Sequence, residues 1–173
     1  MDAQAVARGQ RSRGSRRLLR PALGAGLLAL AGLAQAEPPT TFGTIIGSGL
    51  LCQDQTSNRY YFDYMVKFFG QPYRREGGAY WFRTPDARLW GQEIREVMVS
   101  DESYAYSFVG AVAEATPEQV EEAILAQVGL RYAKIENSRF PVREAKPGSR
   151  IVYFNTRSKI YCAKFKPLPP ALR

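Results

Sequence analysis

The chain has 173 residues, 24 Lys+Arg against 16 Asp+Glu, no histidine and two cysteines. Without histidine there is no Ser-His-Asp or Cys-His nucleophile, no His-ligated zinc and no general base of the usual kind near neutral pH. The cysteines are too far apart for a C-x-x-C redox pair or a thiolate metal site, and no P-loop, dinucleotide-binding glycine pattern or calcium loop occurs, so neither cofactor nor metal is expected.

Residues 8–20 are Arg-rich, Ala22 to Leu33 are apolar, and Ala34-Gln35-Ala36 follows. Basic region, short apolar core and A-x-A site together predict a secretory signal peptide over 1–36, cleaved before Glu37. The apolar run is too short to span a bilayer. Ser15-Arg16-Arg17-Leu18-Leu19-Arg20 partly matches a twin-arginine signal, but an Arg-rich leader yields such a pair readily, so export of the unfolded chain is the expectation. Leu50 and Leu51 stand before Cys52 where a lipid-attachment motif needs a small residue, which argues against an anchor. Six of the 24 basic and one of the 16 acidic residues lie within 1–36, so the net charge of +8 falls to +3 without them and the basicity is no argument for nucleic acid. A periplasmic location, or secretion, follows; there Cys52 and Cys162 can pair.

Residues 37–51, rich in Pro, Thr and Gly, read as an extended lead-in that pairs on a sheet edge through Phe42 to Ile46. From Gln53 to Phe69 the period becomes helical. Phe68, Tyr61, Met65, Phe69 and Phe62 share one arc, Asp63 and Lys67 form an i,i+4 pair opposite, Asp54 caps the start and Gly70 supplies the stop. Ala79 to Arg83 reads as a strand, Thr84-Pro85-Asp86-Ala87 as a turn, and Arg88 to Ser100 as a returning strand bent at Gly91, with Ile94, Glu96 and Met98 on one side. Tyr104, Tyr106, Phe108 and Val112 then alternate with Ala105, Ser107, Val109 and Ala111, completing a meander.

Thr116-Pro117-Glu118-Gln119 is the signature of a capped helix start; Val120, Ala123, Ile124 and Val128 line one face, Glu118 and Glu122 the other, and Gly129 ends the helix. Leu130 to Ile135 suits a short strand, Glu136 to Arg150 a polar loop, and Ile151–Phe154 with Lys159–Phe165 a closing hairpin around Asn155-Thr156-Arg157-Ser158. The fold class is thus α+β, in the order α-β-β-β-α-(β)-β-β: an antiparallel sheet of about five to six strands with two helices packed on one face. The domain runs over 52–166, and 167–173 form a Pro-rich tail.

Candidate binding residues fall in two places. Arg74 and Arg75 bring bidentate donors for carboxylate or phosphate, and Tyr80 and Trp81 bring ring faces. Strand alternation puts Tyr80 and Phe82 on one side and Trp81 on the other, so helices over the first would leave Trp81, and Trp90 with it, to a ligand. The same residues also suit a plain helix-to-strand connection. The second place is the C-terminal third, where residues 131–173 hold 11 basic groups against 2 acidic ones and where Arg157 and Lys159 flank the hairpin tip. Lysine there also fits protection of an edge strand against sheet-to-sheet pairing. No pair among Glu76, Asp86, Glu93, Glu96, Asp101 and Glu102 stands out as catalytic. The function expected is an exported, non-catalytic binding or adaptor protein of the bacterial cell envelope, taking a protein or peptide on the open sheet face. The alternatives are a small carboxylate-dependent glycan hydrolase and a binder of anionic envelope glycan or lipid.

Overall fold

The computed structural model describes residues 37–54, 56–103 and 105–166; the leader, Gln55, Tyr104 and the tail lie outside the described residues. Phe42, Ile46 and Leu50 recur every fourth residue, a helical stripe, and all three are buried. They sit in a π-helical turn, Gly43–Gly47, that runs into a short helix α1, Ser48–Leu50, where an extended lead-in is expected from composition. The glycines are there for packing rather than as breakers: a Cβ on Gly49 would lie 2.6 Å from the Tyr61 hydroxyl and 2.8–2.9 Å from its ring. The Ser149 hydroxyl donates to the Leu50 carbonyl (2.7 Å) and shares a bond with the Tyr132 hydroxyl (2.7 Å), tying this segment to the far half of the sheet.

Helix α2 spans Asn58–Phe69 and starts later than Gln53, because the Ser57 hydroxyl caps it while Asp54 folds back onto the Thr56 amide (2.9 Å). Tyr61, Tyr64 and Met65 are its buried residues and Phe62 and Phe69 are half-buried, on the expected arc, whereas Tyr60 in the first turn and Phe68 in the last are exposed. The ion pair on its outer side is Arg59–Asp63 (2.9 Å) rather than Asp63–Lys67. Helix α3, Pro117–Val128, has the full capping box between Thr116 and Gln119 and ends at Gly129 in the left-handed region. Pro117, Val120 and Ile124 are buried, but Val128 is exposed at the end of the stripe.

Among the described residues nine strands form the sheet: β1 Arg74–Glu76, β2 Ala79–Arg83, β3 Arg88–Leu89, β4 Gln92–Ser100, β5 Tyr106–Ala113, β6 Ala133–Lys134, β7 Arg143–Ala145, β8 Ser149–Phe154 and β9 Arg157–Phe165. Their order is β1-β2-β4-β5-β9-β8-β7-β6, with β3 paired to β4 and every pairing antiparallel. The fold class is the expected α+β, but the strand count is higher, since β1, β3, β6 and β7 are two or three residues long and leave no period-two signal. The expected bend at Gly91 is a reversal: Trp90 and Gly91 both take positive φ and β3 turns back onto β4. A bulge between Ile94 and Glu96 moves Ile94 to the side of Val97 and Val99, away from Met98. The main core lies between the sheet and the helical segments, built on Phe82, Val97, Val99, Val109, Ala111, Ile151 and Ile160 against Ile46, Leu50, Met65 and Ile124.

Within the stretch expected to be a polar loop, β7 holds Arg143, which is 1 % exposed. Its guanidinium is bonded by Glu118 and by Glu121 (2.9 Å) from α3, so a buried charge is fully compensated. Cys52 and Cys162 form a disulfide with their Cα atoms 5.3 Å apart, clasping the start of the domain to the last strand.

Candidate functional site

With the helical segments on one side, the other side of the sheet carries a second cluster: Ala79, Trp81, Met98 and Val112, with Phe108 and Phe154 packed against it. Register builds it in rows. Arg74, Trp81, Met98, Gly110, Tyr161, Arg150 and Glu144 are successive cross-strand neighbours from β1 to β7, and Arg83, Glu96, Val112, Lys159 and Val152 form the adjoining row. Gly110 leaves a dip at the centre, where an added Cβ would lie 2.7 Å from the Met98 methyl and 3.3 Å from the Tyr161 Cβ. Two grooves adjoin there. One, about 380 Å³, is lined by Tyr106, Arg150 and Tyr161, the other, about 450 Å³, by Arg74, Trp81 and Phe154, and both are lined by Met98, Phe108 and Lys159.

Electrostatically, the face is a set of matched pairs with two exceptions among the described residues, Arg83 at the rim and Lys159 within it. Arg74 bonds Glu76 (3.0 Å) while its guanidinium lies 4.0 Å over the Trp81 ring. Arg150 bonds Glu144 (2.5 Å), and the Tyr73 hydroxyl donates to Glu96 (2.5 Å). Arg83 lies 4.9 Å over the ring of Tyr73 at the rim. Lys159 has an ammonium 3.7 Å from the Phe154 ring centre and 5.1 Å from that of Trp81, and no carboxylate of the described residues within ion-pair distance. Burial first, and then the charge of Arg74, hold its pKa below the ordinary lysine value, against the opposing pull of Glu96 and Glu76.

Of the residues singled out in the sequence, Arg74, Trp81 and Lys159 meet on this face. Trp81 is on the expected side but is only 8 % exposed, covered by Arg74 and Lys159, with its indole donating to the Glu76 carbonyl (3.1 Å). Arg75 and Tyr80 turn to the other side: Arg75 bonds Asp101 (2.6 Å), and the Tyr80 ring packs at a tilt against Phe62 of α2 (centroids 4.8 Å apart). Trp90 packs on the main core next to Gly47 and does not join Trp81. Arg157 is bonded to Glu114 (2.8 Å). Lys159 does not guard an edge, because β9 is hydrogen-bonded to β5 on one side and β8 on the other. Met98, Phe108, Tyr161, Phe154 and Arg150 join the site only through register. The alternation of Tyr106, Phe108 and Val112 on one side of β5 is visible in the sequence; which strands flank it is not.

Among the proposed carboxylates, Glu76, Glu93 and Asp101 are paired with arginines, Glu93 with Arg95 at 3.2 Å, and Asp101 also accepts from the Ser103 hydroxyl (2.6 Å). No group of three or more metal-ligating side chains occurs among the described residues. A separate hollow of about 460 Å³ lies beside the disulfide at the start of α2, but Asp54 and Asn58 on its wall are engaged with Thr56 and Ser100. Comparison with family models, with curated proteins and with solved structures returns no match.

Proposed function

We propose that this chain is an exported, non-catalytic binding or adaptor protein of the bacterial cell envelope, periplasmic, that takes a protein or peptide partner on the helix-free face of its sheet. The observation that carries this is the composition of that face. Apolar and aromatic side chains from β2, β4, β5, β8 and β9 lie together without a covering element among the described residues, and a lysine sits in their midst. Aromatic rings bordered by charge are the anatomy of a protein-recognition surface. Of the six carboxylates considered for a glycan hydrolase, Glu76, Glu93 and Asp101 are engaged with arginines and Glu96 with Tyr73. Export is supported by the Cys52–Cys162 bond, which suits an oxidising compartment, and no described helix is long and apolar enough to cross a membrane.

A photoreactive side chain placed at Val152, on the face, is expected to give a discrete adduct in native envelopes, identifiable by mass spectrometry. The same group at Gln127, exposed on α3, is expected to give none. Adducts from Gln127 alone, or identical adducts from both, would overturn the assignment.

A further inference from the structure

Resting on the assignment of that face, we propose that Lys159 is its carboxylate receptor and that the partner presents an extended acidic segment of the pattern apolar-x-Asp/Glu-x-apolar. Four observations converge. Lys159 stands on β9, between β5 and β8, where edge protection cannot account for a charge. A lysine in such a place is normally either paired or replaced by an apolar residue, because removing an ammonium from water is costly. The neighbouring cations illustrate the pairing: Arg74 with Glu76, Arg150 with Glu144 and Arg157 with Glu114. Among the described residues Lys159 meets only ring faces, which offset part of its desolvation and leave its hydrogen-bond donors for an incoming acceptor. Its nearest carboxylates, Glu76 and Glu96, are held by Arg74 and by Tyr73.

The shape of the face sets the rest of the pattern. The two grooves diverge from the one place where Lys159, Met98 and Phe108 line both. In an extended peptide, side chains at i and i+2 point the same way about 7 Å apart. A carboxylate over Lys159 therefore directs the side chains two positions before and after it into the two grooves, against Trp81 and Phe154 on one side and Tyr106 and Tyr161 on the other. A carboxamide of the same shape would leave the ammonium without its counter-charge, and charge-assisted hydrogen bonds are about twice as strong as neutral ones.

The test is the fluorescence anisotropy of two dye-labelled peptides, acetyl-Leu-Ser-Glu-Ser-Phe-amide and its Gln counterpart, titrated with the oxidised protein, alongside vesicles of phosphatidylglycerol. The Glu peptide is expected to bind at least ~10-fold more tightly than the Gln peptide. In Lys159→Met, whose stem still covers Trp81, that preference is expected to vanish with an unchanged melting temperature, and Lys159→Arg is expected to restore it. Equal binding of both peptides, insensitive to Lys159→Met but lost when Phe108→Asp disrupts the grooves, would remove the receptor role and leave the face as a peptide site. Binding of neither peptide, with vesicles captured through Lys159, would overturn both assignments in favour of a lipid surface. Binding of neither peptide nor vesicle would also overturn both.

Discussion

Trp81 shows how two readings of one residue are separated by numbers. Alternation along β2 correctly sends it to the helix-free side, opposite Phe82, yet it is 8 % exposed because Arg74 and Lys159 lie over its ring. It is therefore the largely covered floor of one groove, which a side chain seated there would meet beneath Arg74 and Lys159. Trp81→Ala is expected to cost about 3 kcal/mol in denaturant unfolding, near the lower end for buried Trp truncations because side chains rather than backbone cover it. A loss below about 1 kcal/mol would mean that the ring is not packed as described. Lys159 carries the reverse lesson. Its neighbours in sequence suggest a hairpin-edge lysine, and only the strand order shows that it stands in the middle of the sheet. Cross-strand neighbours decide what a side chain touches, and they are the information a single strand's sequence does not contain.

At the scale of elements, legibility follows the strength of the local signal. The Thr116 capping box, Pro117 and Gly129 bracket α3 with the boundaries the sequence predicts, because each feature satisfies a specific backbone group at a helix end. The helical turns over Gly43–Gly47 and Ser48–Leu50 escape a reading by composition because three glycines lower helix propensity. The Phe42-Ile46-Leu50 spacing is the available clue, and tertiary packing overrides the propensity. Strand β7 escapes it because three residues with a central glutamate show no pattern; it is held by pairing with β8 and β6, by buried Ala145 and by Arg143 meeting α3. That contact makes a pH prediction. Burial disfavours the Glu118 carboxylate, but hydrogen bonds from Tyr153 and its own backbone amide, with the charge of Arg143, outweigh it and bring its pKa from 4.5 down to about 2. A carboxyl depressed on folding stabilises the protein above its unfolded pKa, and that contribution is lost as pH falls from about 4.5 to 2. Half of the Glu118 side chain is in water, so screening keeps the effect modest. In thermal unfolding across that range, Glu118→Gln is expected to be less stable than the parent at pH 6 and to converge on it near pH 2; parallel curves would contradict the assignment.

For the whole molecule, the disulfide joins residues 110 positions apart, from the turn that follows α1 to the last strand. In the chain-entropy model a loop of that size contributes about 4–5 kcal/mol, an upper value because strain and residual structure in the unfolded chain subtract from it. The sheet and its core are continuous without the bridge, so the Cys52→Ala, Cys162→Ala double variant is expected to fold, with stability lowered by about 2–5 kcal/mol in denaturant unfolding under oxidising conditions. Complete unfolding at 25 °C would show that the core is weaker than its packing implies, and no change would show that the bridge constrains nothing.

The division of this molecule into a covered and an open sheet face comes with a reporter on each side. Met65 packs from α2 into the main core, and the Met98 methyl sits over Gly110 on the helix-free face. With carbon-13 methyl-labelled methionine, NMR titration with the partner captured at Val152 is expected to shift or broaden the Met98 signal and leave Met65 in place. A shift at Met65 with Met98 unmoved would contradict the claim that this protein recognises its partner through the open face.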